Sequence, residues 1–247
     1  IVPGQFFMIR PQQGSDPLLG RPFALFDVCR DELGNVTGVE FGFVRVGKLT
    51  SLMAGWREGD RVSVWGPLGN GFPVPECEHL ICVAGGIGQT PFLAVAREAL
   101  GHAMYGSPAR VILQRPQTTA LLYGVRSSSY LAGLEDFRMP GLSVSVATDD
   151  GSAGQRGYVT TLLEERLRSG TAGVHVYCCG PEPMMRATAK AFSPRSRPWL
   201  ASRSGSLSTH TFDETANSSA PSGVRIEGSA GTASASAAAR ASSWGAG

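Results

Sequence analysis

Three glycines, Gly85, Gly86 and Gly88, stand in the stretch LICVAGGIGQTPFLAVAREAL, after a run of apolar residues and ahead of Pro91 and a helical pattern. Glycine lets the main chain approach a ligand closely and adopt positive φ. A helix N-terminus offers free N–H groups and a partial positive charge, which suit a pyrophosphate. Pro91 fits the first helical turn, where its missing N–H costs nothing. The chemistry on offer is nucleotide binding where a strand hands over to a helix. The spacing is not the G-x-G-x-x-G fingerprint, and no acidic residue is clearly placed for a ribose. A tight strand–helix turn without a ligand accounts for the same residues equally well.

Three more segments finish in small or polar residues. YGVRSS carries Gly124 and Arg126, VATDDGSAGQRGYVT carries Asp149, Asp150 and Gly151, and VYCCGPEPMM carries Cys179, Gly180, Pro181 and Pro183. Each alone is ordinary loop chemistry. As four strands of one parallel sheet they would end on one edge, where such sheets bind ligands. The four histidines, His79, His102, His175 and His210, sit in no nucleophile constellation, which disfavours a histidine-based hydrolase.

The elements that must position these residues fall into three regions. Residues 1–74 contain the short β-rich runs GQFFMIR, FALFDVC, VTGVEFGFVRV and DRVSVWG, split by Gly, Pro, Asp and Asn, the pattern of an antiparallel barrel or sandwich. A short helix over Thr50–Trp56 is the one helical signal there. Residues 75–192 alternate strands with helices: HLICVAG, ALLYGVR, LSVSVAT and GVHVYCCG, with helices over Gln89–Leu100, Tyr130–Phe137, Val159–Arg168 and Pro183–Ala191. That order implies a parallel sheet with helices on its faces. ARVILQ reads either as an extra strand or as part of a long connection. Residues 193–247 are dominated by Ser and Ala, with Leu200, Leu207, Val224 and Ile226 as the only large aliphatics, so disorder is expected there. The fold class is α+β with two domains, a β-barrel followed by an α/β domain, and a disordered C-terminal tail.

Composition excludes several classes. The chain of 247 residues is 42% hydrophobic with a formal net charge of +2, and no basic run marks a nucleic-acid partner. No apolar run reaches the roughly 18 residues of a membrane helix, and no signal peptide is visible. The five cysteines lie in or beside apolar segments without disulfide spacing, which makes a reduced, cytoplasmic setting the expectation. Of 22 basic residues only Lys48 and Lys190 are lysine, a bias in keeping with a GC-rich genome. Ile1 opens a stretch that reads as mid-strand, as expected of a fragment without its N-terminal start.

Taken together, GGIGQTP and CCGPEPMM resemble the nicotinamide domain of the ferredoxin–NADP reductase-like flavoprotein superfamily. RPFA, Arg21 to Ala24, and GKLT, Gly47 to Thr50, are similar to its two flavin motifs. DPLLGRPFALFDV, GPLGNGFP and ATDDGSAGQRGYVT narrow the resemblance to the electron-transfer subunits of dihydroorotate dehydrogenase B, over roughly Pro3 to Ala191.

The resemblance implies FAD in the barrel and NAD in the second domain, with hydride exchange between nicotinamide and flavin. Arg21 would hold the FAD pyrophosphate, the alternative being a surface Arg paired with Asp16 or Asp27. Pro22, Phe23 and Ala24 would lie along the flavin, with Phe23 equally suited to the core. Phe43 and Val44 would line the adenine or ribityl side, and Gly47, Lys48 and Thr50 would form the second motif. Gly85, Gly86, Gly88 and Pro91 would hold the nicotinamide dinucleotide, Arg126 or Asp149 its ribose. Cys179, Gly180 and Pro181 would lie beside the nicotinamide, and Cys178 would face the opposite side of its strand. No residue is assigned as acid, base or nucleophile, and none as a metal ligand. The absence of an Arg cluster leans towards NAD over NADP.

Three departures matter. Leu49 stands where the motif has a Gly. Ala24 stands where a hydroxyl would reach the flavin, a loss on the order of 1 kcal/mol. A third lies in the tail, because the resemblance implies a cysteine-rich [2Fe–2S] segment and no cysteine follows Cys179. A frameshift near residues 192–200 would produce such a tail. The implied partner is an FMN-containing dihydroorotate dehydrogenase subunit. The alternatives are a subunit of a related NADH-dependent ferredoxin–NADP oxidoreductase or sulfhydrogenase, and a non-catalytic flavin- or nucleotide-binding module.

Overall fold

A computed structural model describes residues 1–12, 14, 16–73, 76–168 and 172–192, together with the main chain of 205–211, 221–227 and 237–243. The β-rich runs of the first region become β1 (Phe6–Pro11), β2 (Arg21–Arg30), β3 (Val36–Val44) and β4 (Arg61–Leu68). They pair antiparallel, β1 with both β2 and β4, and β2 with β3. Inside lies an aromatic core in which Phe23 packs edge-on to Phe43, with ring centroids 6.4 Å apart, and Phe7 edge-on to Phe41 at 5.6 Å. The helix α1 spans Lys48–Met53 rather than Thr50–Trp56. It starts earlier because Thr50 Oγ1 accepts hydrogen bonds from the main-chain N–H of Val46 and Gly47, both at 3.0 Å, and draws that turn into helix.

The second region forms β5 (His79–Gly85), α2 (Phe92–Leu100), β6 (Thr118–Val125), β7 (Leu142–Thr148), β8 (Gln155–Arg156), α3 (Val159–Arg168), β9 (Val174–Gly180) and α4 (Glu182–Phe192). The strands are all parallel, in the order β9-β5-β6-β7-β8. One face is covered by α2, packing Phe92, Leu93 and Val95 against Leu121 and Tyr123. The other is covered by α3 and α4, through Leu163, Leu167, Met185 and Phe192. ARVILQ is connection, not strand: between α2 and β6 the described residues show a single bridge, Gly106 to Ala109. The helix expected over Tyr130–Phe137 is instead two short 3-10 turns, Ser128–Tyr130 and Leu134–Phe137. Gly133 between them has φ 66°, a left-handed conformation that breaks a helix.

Composition supplies no reason for strands beyond Ser193. The main chain is nonetheless extended in β10 (Gly205–Thr211), β11 (Pro221–Glu227) and β12 (Ala237–Ser243). β10 runs parallel beside β9, and β11 and β12 close the barrel between β3 and β4. Strand edges present main-chain donors and acceptors that pair with a chain of any composition. The expected frameshift near residues 192–200 lies almost wholly outside the described residues. Among the described residues, no helix is long and apolar enough to cross a membrane.

Barrel and sheet meet along β2 and α2. Phe26 of β2 packs edge-on to Phe137 at 6.3 Å, and Asp27 pairs with Arg97 of α2. Below this seam Arg110 donates to Glu98 Oε1 at 3.0 Å and to the Phe72 carbonyl at 2.6 Å, clamping the interdomain connection to α2. The Glu98 side chain is only 8% exposed. Removing the cation strands that carboxylate, which costs about 3–5 kcal/mol for a buried pair. Arg110→Ala should therefore lower the urea midpoint by a corresponding margin, read by chemical denaturation.

Candidate functional site

The register of the parallel sheet aligns the strand ends singled out by sequence. Gly85 pairs with Gly124, Ala84 with Cys179, and Val125 with Thr148. The loops that follow are joined through main chain: Asp149 N–H donates to the Val125 carbonyl at 3.1 Å and Asp150 N–H to the Arg126 carbonyl at 3.2 Å. The four segments thus form one continuous rim, as parallel strands feeding loops at a common edge require. Arg126 and Asp149 are exposed on it. Asp150 carries an acceptor oxygen occupied by Ser152 N–H at 2.9 Å and Ser152 Oγ at 2.6 Å, and these bonds hold its carboxyl below the usual range.

At the head of the rim the glycines do two different things. Gly86 has φ 56° and is half-buried, the conformation that only glycine takes freely. Gly88 is demanded by packing: a Cβ there would lie 2.6 Å from the Cys179 carbonyl carbon and 2.9 Å from Gly180 N. So the glycine turn is pressed onto the Cys179–Gly180 turn of β9, and the two motifs form one unit. Pro91 is the N-cap of α2 and is buried. Gly180 is buried and Pro181 half-buried beside them. Cys179 is fully buried on the α2 side of the sheet, and Cys178 lies in the cluster on the opposite face, as strand alternation requires. Burial pushes the Cys178 thiol up to about 11, so it remains protonated as a core residue.

The barrel motifs also converge. With Leu25 opposite Phe41, the start of β2 and the end of β3 lie at the same end of the barrel. Arg21, Pro22, Gly47 and Lys48 are exposed there, and Val44 and Thr50 half-buried. Phe23, Ala24 and Phe43 are buried. Leu49 points into the barrel core, 4% exposed, so its side chain does not block the turn. The hydroxyl of Thr50 is engaged in holding that turn.

Among the described residues Arg21 donates only to the carbonyls of Leu19 and Gly20, both at 3.2 Å. Neither carboxylate considered as its partner is available: Asp16 pairs with Lys48, and Asp27 with Arg97 and Tyr105. Among the described residues Arg21 has no carboxylate partner. A Cβ on Gly47 would meet nothing within 4 Å, so the second motif leaves open space at its bend. An exposed guanidinium without a carboxylate partner and an open glycine bend, with the Asp16-paired Lys48 ammonium beside it, are a donor and room of the kind a diphosphate needs.

The two halves face one another, because the Gly86–Gln89 turn contacts β3 and α2 contacts β2. The residues of this contact, Asp27, Arg97 and Tyr105, were not legible as a site from sequence; Asp27 entered only as a candidate partner for Arg21. The available signal was a lone acid inside the apolar strand FALFDVC.

The site is thus a barrel bearing a glycine bend, set against a parallel sheet with a glycine-turn rim. Residues 82–190 match the family model of the oxidoreductase NAD-binding domain. Among curated proteins the chain is similar to a dihydroorotate dehydrogenase B (NAD(+)), electron transfer subunit, of Bacillus caldolyticus, 34% identical over 196 residues, covering 78% of this chain and 68% of that one. A probable subunit of the same kind from Thermococcus kodakarensis is 36% identical over 149 residues, covering 60% of this chain and 56% of the other. The structure also resembles that of an NADH-dependent reduced ferredoxin–NADP oxidoreductase, with TM-score 0.58, 26% identity, and coverage of 75% of this chain and 60% of that one. The fold is shared with the ferredoxin reductase of carbazole 1,9a-dioxygenase, with TM-score 0.63, 21% identity, and coverage of 86% and 60%. The chain belongs to the family of dihydroorotate dehydrogenase B electron-transfer subunits.

The packing of Gly88 makes a direct forecast. Gly88→Ala forces the turn away from the β9 main chain, an overpacking cost of about 1–3 kcal/mol or more. Its unfolding midpoint should fall in chemical denaturation, whether or not nucleotide is added.

Proposed function

We propose that this chain moves electrons between a nicotinamide dinucleotide and, through FAD, a partner subunit that carries FMN and oxidises dihydroorotate. The observation that carries the reading is the contact between the two motif-bearing elements, the glycine turn against β3 and α2 against β2. When bound, nicotinamide and flavin supply the hydride chemistry themselves, and the protein orients them. That agrees with the lack of an acid–base pair among the assigned residues.

Arg21 is assigned to the FAD pyrophosphate, with Gly47 and Lys48 giving the bend its space and charge. Pro22 keeps the start of β2 extended, since its ring fixes φ. Phe23, Ala24 and Phe43 support the site from within the barrel, with Val44 and Thr50 at its edge. On the sheet, Gly85, Gly86, Gly88 and Pro91 are assigned to the dinucleotide, Arg126 or Asp149 to its ribose, and Cys179, Gly180 and Pro181 to the nicotinamide end. NAD is the favoured nucleotide, and the setting favoured for this chemistry is cytoplasmic.

A [2Fe–2S] cluster does not fit these residues. Cys29, Cys77, Cys82, Cys178 and Cys179 are each buried, and the sequence holds no further cysteine. No step is routed through a cluster, and onward transfer to the partner by this chain is expected to be inefficient. A frameshift near residues 192–200 would account for the missing cysteines, and sequencing the locus for clustered Cys codons in an adjacent frame tests it.

The purified chain should show flavin absorption that NADH bleaches anaerobically; bound flavin that NADH leaves oxidised would instead identify a non-catalytic binding module. Arg21→Ala removes a charge-assisted contact worth about 1.5–3 kcal/mol. FAD affinity should therefore drop roughly ten- to a hundredfold, measured by fluorescence titration.

A further inference from the structure

Strand β2 contains one residue too many. Leu25 pairs with Phe41, but the next pair is Asp27 with Glu40, so Phe26 is inserted as a bulge. Upstream of it Phe23 and Leu25 face the barrel core; downstream Val28 does. The bulge therefore turns two consecutive side chains, Phe26 and Asp27, out of the barrel and towards the other domain, which regular alternation forbids. Phe26 packs among residues of the sheet domain. Asp27 is 3% exposed, and both its oxygens are used. Oδ1 accepts from Tyr105 Oη at 2.6 Å and from Val28 N–H at 2.8 Å; Oδ2 accepts from Arg97 Nη1.

The charges around this point make Arg97 the balancing group. Asp27 and Glu40 are cross-strand neighbours, and Asp136 adds a third carboxyl from the 3-10 turn opposite. Partial burial and then Glu40 raise the Asp136 carboxyl above its usual range, while Arg97 acts against them. Burial, reinforced by Asp27, keeps the Tyr105 phenol protonated and a donor. Arg30 braces the same corner, donating to the Met104 carbonyl at 2.5 Å with its guanidinium 5.9 Å from the Tyr105 ring centroid. The elements joined are the ones that carry the chemistry: β2 begins with the Arg21–Pro22 motif, and α2 is headed by the glycine turn.

Resting on the flavin–nicotinamide reading above, we propose that Asp27 is a positioning residue for hydride transfer. Through Arg97 and Tyr105 it fixes α2, and with it the glycine turn, against the strand that presents the flavin. A hydride crosses only between near-touching atoms, so a shift of about an ångström between the domains can slow it about a hundredfold. A bond that only stabilised the fold would have no such specific effect.

The test uses Asp27→Asn and Arg97→Gln. Arg97 is approached from the exposed side of the pair, its side chain 37% exposed, so its replacement leaves Asp27 bonded to Tyr105 and Val28. Both variants should retain stoichiometric FAD and near-normal NADH affinity. In stopped-flow reduction at saturating NADH, the limiting rate should fall roughly ten- to a hundredfold, and the long-wavelength nicotinamide–flavin charge-transfer band should weaken. In the flavin-free chain, amide exchange should rise in α2 and β2 and stay unchanged in β5 and β6. Wild-type limiting rates and charge-transfer bands in both variants overturn the proposal, as does loss of FAD or a uniform rise in exchange in Arg97→Gln. Failure of NADH to bleach the wild-type flavin overturns the redox reading itself, and the positioning role with it.

Discussion

The Asp27 carboxylate takes hydrogen bonds from both sides of the boundary between barrel and sheet: from its own strand, from α2, and from the connection that follows α2. A carboxylate buried to this degree carries a desolvation cost of several kcal/mol, which only a complete set of donors and a nearby cation can offset. Two of the donors, Arg97 and Tyr105, are in place only when the domains are docked. The geometry of the whole candidate site depends on this interaction, because neither domain contains both cofactor motifs.

The two domains divide the work according to what each fold offers. An antiparallel barrel brings the beginning of one strand beside the end of its neighbour, so Arg21 and the Gly47–Lys48 bend lie at the same end of the barrel although they are 26 positions apart in sequence. A parallel sheet instead gathers the ends of all its strands on one edge, so Gly85, Arg126, Asp149 and Cys179 share a rim. Both arrangements leave main chain, small residues and a few charges at the surface. Such surfaces suit cofactors that bring their own reactivity and need to be held still.

The glycine turn is held in place by packing. Gly88 allows the turn to rest on the main chain of the Cys179 turn, and Gly86 supplies the left-handed bend. The packing role is compatible with the nucleotide binding proposed for the turn, because a turn held by main-chain contact keeps its shape without a ligand. This is the preorganisation that makes a phosphate site effective.

Much of the architecture was legible in local pattern. The period-two runs of the barrel, the alternation of strand and helix after residue 75, and the helix over Val159–Arg168 all follow from side-chain periodicity, a property of neighbours in sequence. The glycine turn and the CGP turn were legible for the same reason. Where local pattern misled, a contact intervened: Gly133 split the helix sought over Tyr130–Phe137, and the hydroxyl of Thr50 moved the start of α1. The strands after residue 205 rest on edges that no local composition announces. Which carboxylate meets which guanidinium was decided only in three dimensions. Among the described residues Arg21 is left without a carboxylate because Lys48 takes Asp16 and Arg97 takes Asp27, and a one-residue bulge in β2 is what aims Asp27 across the seam. Sequence determined the two cofactor-type domains, since motif and periodicity are local. Tertiary structure alone determined how they are locked together, since the partners of Asp27 lie 70 and 78 residues away and are brought to it by the docking of α2 on β2.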